Sequence, residues 1–156
     1  MSASQFPHDR FSYMRALPKG DSPEEVGFLP FAIMDTYQKL FLSFKAWHTN
    51  PSEDERKAIE RNITYYVGLL GHYVGDGSMP LHLTIHHDGW KGDNPNGYAT
   101  SKVHGSMESY ADANIDPEDL KSELKAPVLL QDPFNDLIKY LNASKLAFPS
   151  CNLCVT

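Results

Sequence analysis

Cysteine is almost missing from this chain: there are two, Cys151 and Cys154, set as Cys-x-x-Cys close to its end. That excludes a disulfide framework, and a redox or structural-zinc use of the pair would need a helix N-terminus or a second ligand pair beside it, which the sequence does not offer. The two are read as part of a frayed tail. Basic charge is also scarce. Fourteen Lys and Arg stand against twenty Asp and Glu, a net charge of -6, so there is no cationic footprint for gripping nucleic-acid phosphates unaided. Any phosphate recognition must come from a local cationic centre such as a bound metal. Long apolar runs are absent too: nothing approaches the ~18 residues of a membrane span, and the N-terminus lacks the basic patch and the apolar run of ~7–15 residues of a signal peptide. The chain as it stands is expected to be soluble.

What is present suits one domain over residues 1–156. With 41% hydrophobic and 22% charged residues, 156 residues are enough for a packed core. Residues 9–16 predict a short helix, ended by Leu17-Pro18-Lys19-Gly20. Ser22-Pro23-Glu24-Glu25 reads as the start of a second, with Ser22 as N-cap and Glu25 placed to close a capping box. Leu29, Ile33, Tyr37, Leu40, Phe44 and Trp47 continue it as a core stripe. Asn50-Pro51 breaks that helix and Ser52-Glu53-Asp54-Glu55 starts the next by the same logic, running to about Gly75. This helix carries one stripe of Ile59, Ile63, Tyr66, Leu70 and Tyr73 and a neighbouring one of Tyr65, Leu69, His72 and Asp76, so His72 and Asp76 are expected to face the interior. Further helices are predicted from about Thr100, with Val103, Met107, Tyr110 and Ala111 inward, from Asp116-Pro117, and from Asp132-Pro133 to about Phe148. Ala126–Leu130 reads as an extended connector. Asn62-Ile-Thr64 and Asn142-Ala-Ser144 match the glycosylation pattern but fall in predicted helices, where the match is incidental. With no convincing strand, repeat or low-complexity tract, the fold class is all-α, a helical bundle whose site is built from facing helices.

The chain is organised around His72–Glu108. Five of its seven histidines, His72, His82, His86, His87 and His104, lie in that stretch. His72 and Asp76 are four apart, as are His104 and Glu108, and on a helix such positions share a face one turn apart. A lone His-x-x-x-acid pair is ordinarily a surface hydrogen bond. Two of them joined by His82 after a Pro80-Leu81 step serve no packing purpose, whereas imidazole and carboxylate are ligands that zinc accepts. Between Leu83 and Ser101 runs a long glycine-rich loop without periodicity, read as a lid over the site. His86, His87 and Trp90 in it are candidate substrate contacts. For the histidines the competing reading is solvated loop residues, with a further ligand role open to either. For Trp90 it is a choice between stacking on a base or dipping into a lipid surface and pinning the loop to the core.

His72-x-x-x-Asp76-x-x-x-Pro80-Leu81-His82 followed by His104-x-x-x-Glu108 resembles the zinc-dependent phospholipase C and single-strand-specific nuclease superfamily, over roughly the central third of the chain. The resemblance implies a cluster of up to three zinc ions. Asp76, at the catalytic centre, would bridge two of them, and His82, His104 and Glu108 would hold one. It implies secretion or a periplasmic location. It also implies further ligands upstream: the amino group and carbonyl of the mature N-terminal residue, a nearby histidine, and later an aspartate and another histidine. This chain offers His8 and His48 before His72, and the missing ligands and missing export signal are both expected if it lacks the N-terminal portion of a longer parent.

Three donors, His82, His104 and Glu108, make one zinc site with a fourth position open to water, the arrangement of a catalytic site. His72 and Asp76 begin a second. Two ions ~3.5–4 Å apart hold both the attacking and the leaving oxygen of an in-line displacement. The expected function is therefore zinc-dependent phosphodiester hydrolysis, on single-stranded nucleic acid or a phospholipid head group, with no obligate protein partner inferred. Glu108 leans toward phospholipase C; Pro80-Leu81-His82 and the Gly/Asn-rich loop lean toward the nucleases. The alternatives are an inactive metal-binding helical module and a metal-free helical interaction domain.

Overall fold

The structure is a computed structural model and describes residues 5–146; Cys151, Cys154 and the end of the last helix expected near Phe148 lie outside that range. Among the described residues there are seven α-helices, one 3-10 turn and no strand element, so the all-α expectation holds. The described chain divides into two compact units, residues 5–78 with 132–142 and residues 79–131 with 143–146. No helix is long and apolar enough to cross a membrane.

In the first unit α1 (Arg10–Ala16) is capped by Asp9, whose carboxylate accepts the Ser12 N–H at 2.8 Å. α2 is a single turn, Pro23–Val26, where Ser22 Oγ accepts the Glu25 N–H at 3.3 Å. The sequence suggested one helix from Ser22 onward. The structure divides it: Gly27, at φ 79°, leaves the helical region, and α3 (Leu29–Trp47) begins afresh after Phe28. Positive φ is inexpensive for glycine alone. α4 (Glu53–Ser78) opens on a complete capping box, with the Ser52 N–H and hydroxyl on Glu55 Oε2 and the Glu55 N–H on Ser52 Oγ.

Aromatic packing holds this unit together. Phe31, 5% exposed, stands with ring centroids 5.4 Å from Tyr13, 6.2 Å from Phe6 and 6.1 Å from Phe134. Phe134 lies in α7 (Pro133–Leu146), started by Asp132, which accepts the Asn135 N–H at 3.1 Å. α3 and α4 form an antiparallel hairpin: Trp47, ending α3, donates to Glu60 near the start of α4, and Ile33 of α3 approaches Gly77 at the other end. Gly77 is where α7 comes in. A Cβ there would lie 2.7 Å from Leu141 Cδ2, and the Tyr140 hydroxyl donates to the Val74 carbonyl at 2.9 Å.

α4 corrects one expectation. Gly77 is its only buried residue among those described, Tyr65 is exposed, and the His72 side chain is 66% exposed rather than turned inward. On the second stripe Tyr65 and His72 are exposed, while Leu69 and Asp76 are half-buried.

The second unit begins where Met79, in the extended region that a following proline favours, stops α4. Pro80–Leu83 forms the 3-10 turn, closed by the His82 N–H on the Met79 carbonyl at 3.0 Å. α5 (Val103–Asn114) starts three residues later than the sequence suggested, from Lys102 in the left-handed region, and Tyr110 on it is exposed rather than inward. α6 (Pro117–Lys121) is capped by Asp116, and residues 124–130 run on without regular structure. The small core is Leu81, 1% exposed, against Val103, with Met79, Tyr98, Ala99 and Met107 around them.

Candidate metal centre

Each donor is delivered by a different device. The 3-10 turn buries Leu81, and the next side chain, His82, is thereby held half-buried at the surface of the small core. α5 buries Val103 against the same Leu81, and His104, one residue on, is likewise half-buried. Because Leu81 and Val103 pack on each other, His82 and His104 are brought together, their rings nearly perpendicular with centroids 4.6 Å apart. Their Nε2 atoms are 2.9 Å apart. One turn further along α5, Glu108 Oε1 lies 3.2 Å from His104 Nε2 and 3.9 Å from His82 Nε2. The three residues singled out in the sequence as one ligand set do converge.

A fourth group joins them. One ligand atom each from His82, His87 and His104 lie within 4.8 Å of one another, and the His87 ring centroid is 4.3 Å from that of His104 and 5.1 Å from that of His82. Ligands ~2.1 Å from a common tetrahedral ion stand about 3.4 Å apart. Changes in separation of no more than about 1.4 Å take the observed spacings to that value. The three histidines therefore lie close enough to hold a metal ion, and the chemistry of the donors, three imidazoles with a carboxylate alongside, fits zinc.

The loop that carries His87 is a folded-back ring and not a loose lid. The Trp90 N–H donates to the Ala99 carbonyl at 2.8 Å and the Val103 N–H reaches the Asp88 carbonyl at 3.4 Å, tying the turn over residues 85–88 to the start of α5. Gly89 makes the approach possible: its φ is 143°, and a Cβ there would lie 2.2 Å from the Thr100 carbonyl carbon. Trp90 belongs to the same ring. It stacks on His86, with centroids 3.9 Å apart and planes 5° from parallel, packs on Tyr98 at 4.7 Å, and donates its indole N–H to the Asp93 carbonyl. Of the two uses weighed for Trp90, pinning the loop is the one its contacts display. His86 is engaged in that staple, its Nδ1 accepting the Lys91 N–H at 3.1 Å.

His72 and Asp76 form their own pair on α4, Nε2 to Oδ2 at 3.5 Å. His8 lies against the Phe134 ring at 4.6 Å, and His48 caps the end of α3 edge-on to Trp47. A surface depression of the second unit, about 770 Å³, is lined by Asp88, Lys102, Gly105, Ser106, Ser109 and Tyr110 and contains none of the converging donors.

His87 is the donor that sequence reasoning undervalued. No periodicity links it to His82 or His104, and the one signal was the His86-His87 doublet in a loop rich in glycine. No family model, curated protein or solved structure matches this chain.

Proposed function

We propose that this chain is a metal-dependent phosphodiester hydrolase with its centre at His82, His104 and Glu108. The observation that carries the reading is the convergence of two imidazole nitrogens to 2.9 Å, with a carboxylate oxygen 3.2 Å from one of them. Two imidazoles and a carboxylate brought together at a half-buried surface form a donor set that a shared cation would satisfy.

A zinc ion held there supplies positive charge for phosphoryl oxygens and acidifies a water molecule. The chain's own residues determine how much of that charge remains. His82 and His104 would hold such an ion through ring nitrogens and Glu108 would contribute at most one negative charge, so a loaded centre would keep a net positive charge for an anionic substrate on a protein that is otherwise acidic. Glu108, 53% exposed, leaves the centre reachable from solvent. His72 and Asp76 are proposed as the start of a second metal position on α4. Single-stranded nucleic acid and phospholipid head groups share the phosphodiester chemistry this centre suits.

The test combines metal content with hydrolysis of bis-p-nitrophenyl phosphate. Protein loaded with zinc is expected to retain at least about one ion per chain and to hydrolyse the ester, with both properties lost on chelation and in His82→Ala. Retention of zinc without hydrolysis would assign the chain as an inactive metal-binding module. Failure to retain any metal would make it a metal-free helical interaction domain.

A further inference from the structure

We propose that His87 is a loop-borne ligand of the same ion and that it occupies the position a phosphate oxygen must take, so that the ring over residues 84–101 closes the centre until substrate displaces it. The inference rests on the reading of His82, His104 and Glu108 as metal ligands. It goes further by giving the centre a resting state and a competitor for substrate.

Three observations carry it. The first is proximity: the His87 donor atom is within 4.8 Å of those of both His82 and His104. The second is donor count. His82, His104 and Glu108 alone leave a tetrahedral ion one position short, and an added imidazole completes a closed set of the kind that structural sites use. The third is how His87 is held. His82 sits on a 3-10 turn and His104 on a helix, both anchored by the Leu81–Val103 contact, while His87 is an exposed side chain on a hydrogen-bonded turn. Its neighbour His86 is stacked on Trp90 and accepts the Lys91 N–H, which fixes the turn and directs the doublet's other ring to the donors. Of the three histidine donors, His87 is therefore the one that can leave without unpacking the core. Displacement needs no chemistry beyond ligand exchange, an anionic phosphate oxygen replacing a neutral imidazole at the ion.

Cobalt substitution reads this out independently of catalysis. Wild-type protein titrated with cobalt is expected to show the intense visible absorption of a four-coordinate site. His87→Ala should still bind cobalt, with weaker absorption as solvent enters the vacated position. Its zinc affinity, measured by competition with a chromophoric chelator, should fall by at least about 10-fold, the low end of what losing even an indirect partner of a ligand costs. Inorganic phosphate should then perturb the cobalt spectrum of His87→Ala at lower concentration than that of the wild type, the direction that a merely structural role for His87 does not produce. Because His87 is exposed, the metal-free variant should melt with the wild type, and His87→Gln provides a second variant of closer size. Equal spectra, zinc affinities and phosphate responses in all three proteins would overturn the role of His87 alone. A wild-type protein that binds neither cobalt nor zinc would overturn the metal centre itself, and this inference with it.

Discussion

Gly89 shows how one residue sets the geometry of the centre. Its φ of 143° lies where side-chain-bearing residues rarely go, at a cost of about 1–3 kcal/mol, and the missing Cβ leaves room for the Thr100 backbone. Gly89→Ala must therefore move the 85–88 turn away from the start of α5, and His87 with it. Zinc affinity should drop about as far as in His87→Ala, while far-UV circular dichroism stays unchanged because no helix contains the site of substitution. Competition titration against a chelator checks this, and an unaltered affinity would show that the ring does not position His87. The pairing of His82 with His104 is a matter of residues too, but of different ones. It follows from Leu81 and Val103 each burying next to a histidine, so the two buried side chains of the small core place two of the candidate ligands.

Among the elements, caps govern where helices begin, and their charges make them sensitive to acid. Hydrogen bonds from the Ser12 hydroxyl and N–H hold the Asp9 carboxyl below its usual range, the Ser52 hydroxyl and N–H do the same for Glu55, and the Asn135 N–H and side chain for Asp132. A carboxyl whose folded pKa lies below its unfolded one contributes stability above the unfolded value and loses it as pH falls through the folded value. Stability should thus decline as pH drops below the ordinary values of 4.5 for Glu55 and 3.8 for Asp9 and Asp132. Ser52→Ala removes the hydroxyl's hydrogen bonds with the Glu55 N–H and carboxylate, leaves the residue-52 N–H on Glu55, and is expected to cost about 0.5–2 kcal/mol at neutral pH. Denaturant unfolding should also show a shallower acid decline in this variant, since Glu55 no longer has the hydroxyl to lose. An acid decline as steep as that of the wild type would place the sensitivity elsewhere. α4 also marks a limit of helical periodicity: spacing placed His72 and Asp76 on one stripe, yet burial depends on which neighbours a helix receives, and His72 is left exposed while Asp76 is half-buried.

For the whole molecule, a metal that binds the folded chain and not the unfolded one adds stability by mass action, about 2.7 kcal/mol at a free concentration 100 times the Kd. For a chain of this size that corresponds to roughly 5–10 °C in Tm. Thermal melts with zinc, without it and after chelation should show this rise and its reversal; a Tm indifferent to zinc would deny the ion a place in the native fold. What the amino-acid order determined by itself is local: the all-α class, the caps at Ser22, Ser52, Asp116 and Asp132, the turn at Met79-Pro80, and the one-turn spacing of His104 and Glu108, although α4 runs to Ser78, three residues past the end near Gly75 that the sequence suggested. These depend on contacts within about one helical turn, which residue types and spacing encode directly. The tertiary structure alone decided that α2 and α3 part at Gly27, that His72 lies in solvent, that Trp90 staples its own loop, and that His87 reaches His82 and His104. Each of those depends on which surfaces meet across many residues of chain. A close approach such as that of Gly89 to Thr100 leaves no periodicity in the sequence from which it could be read.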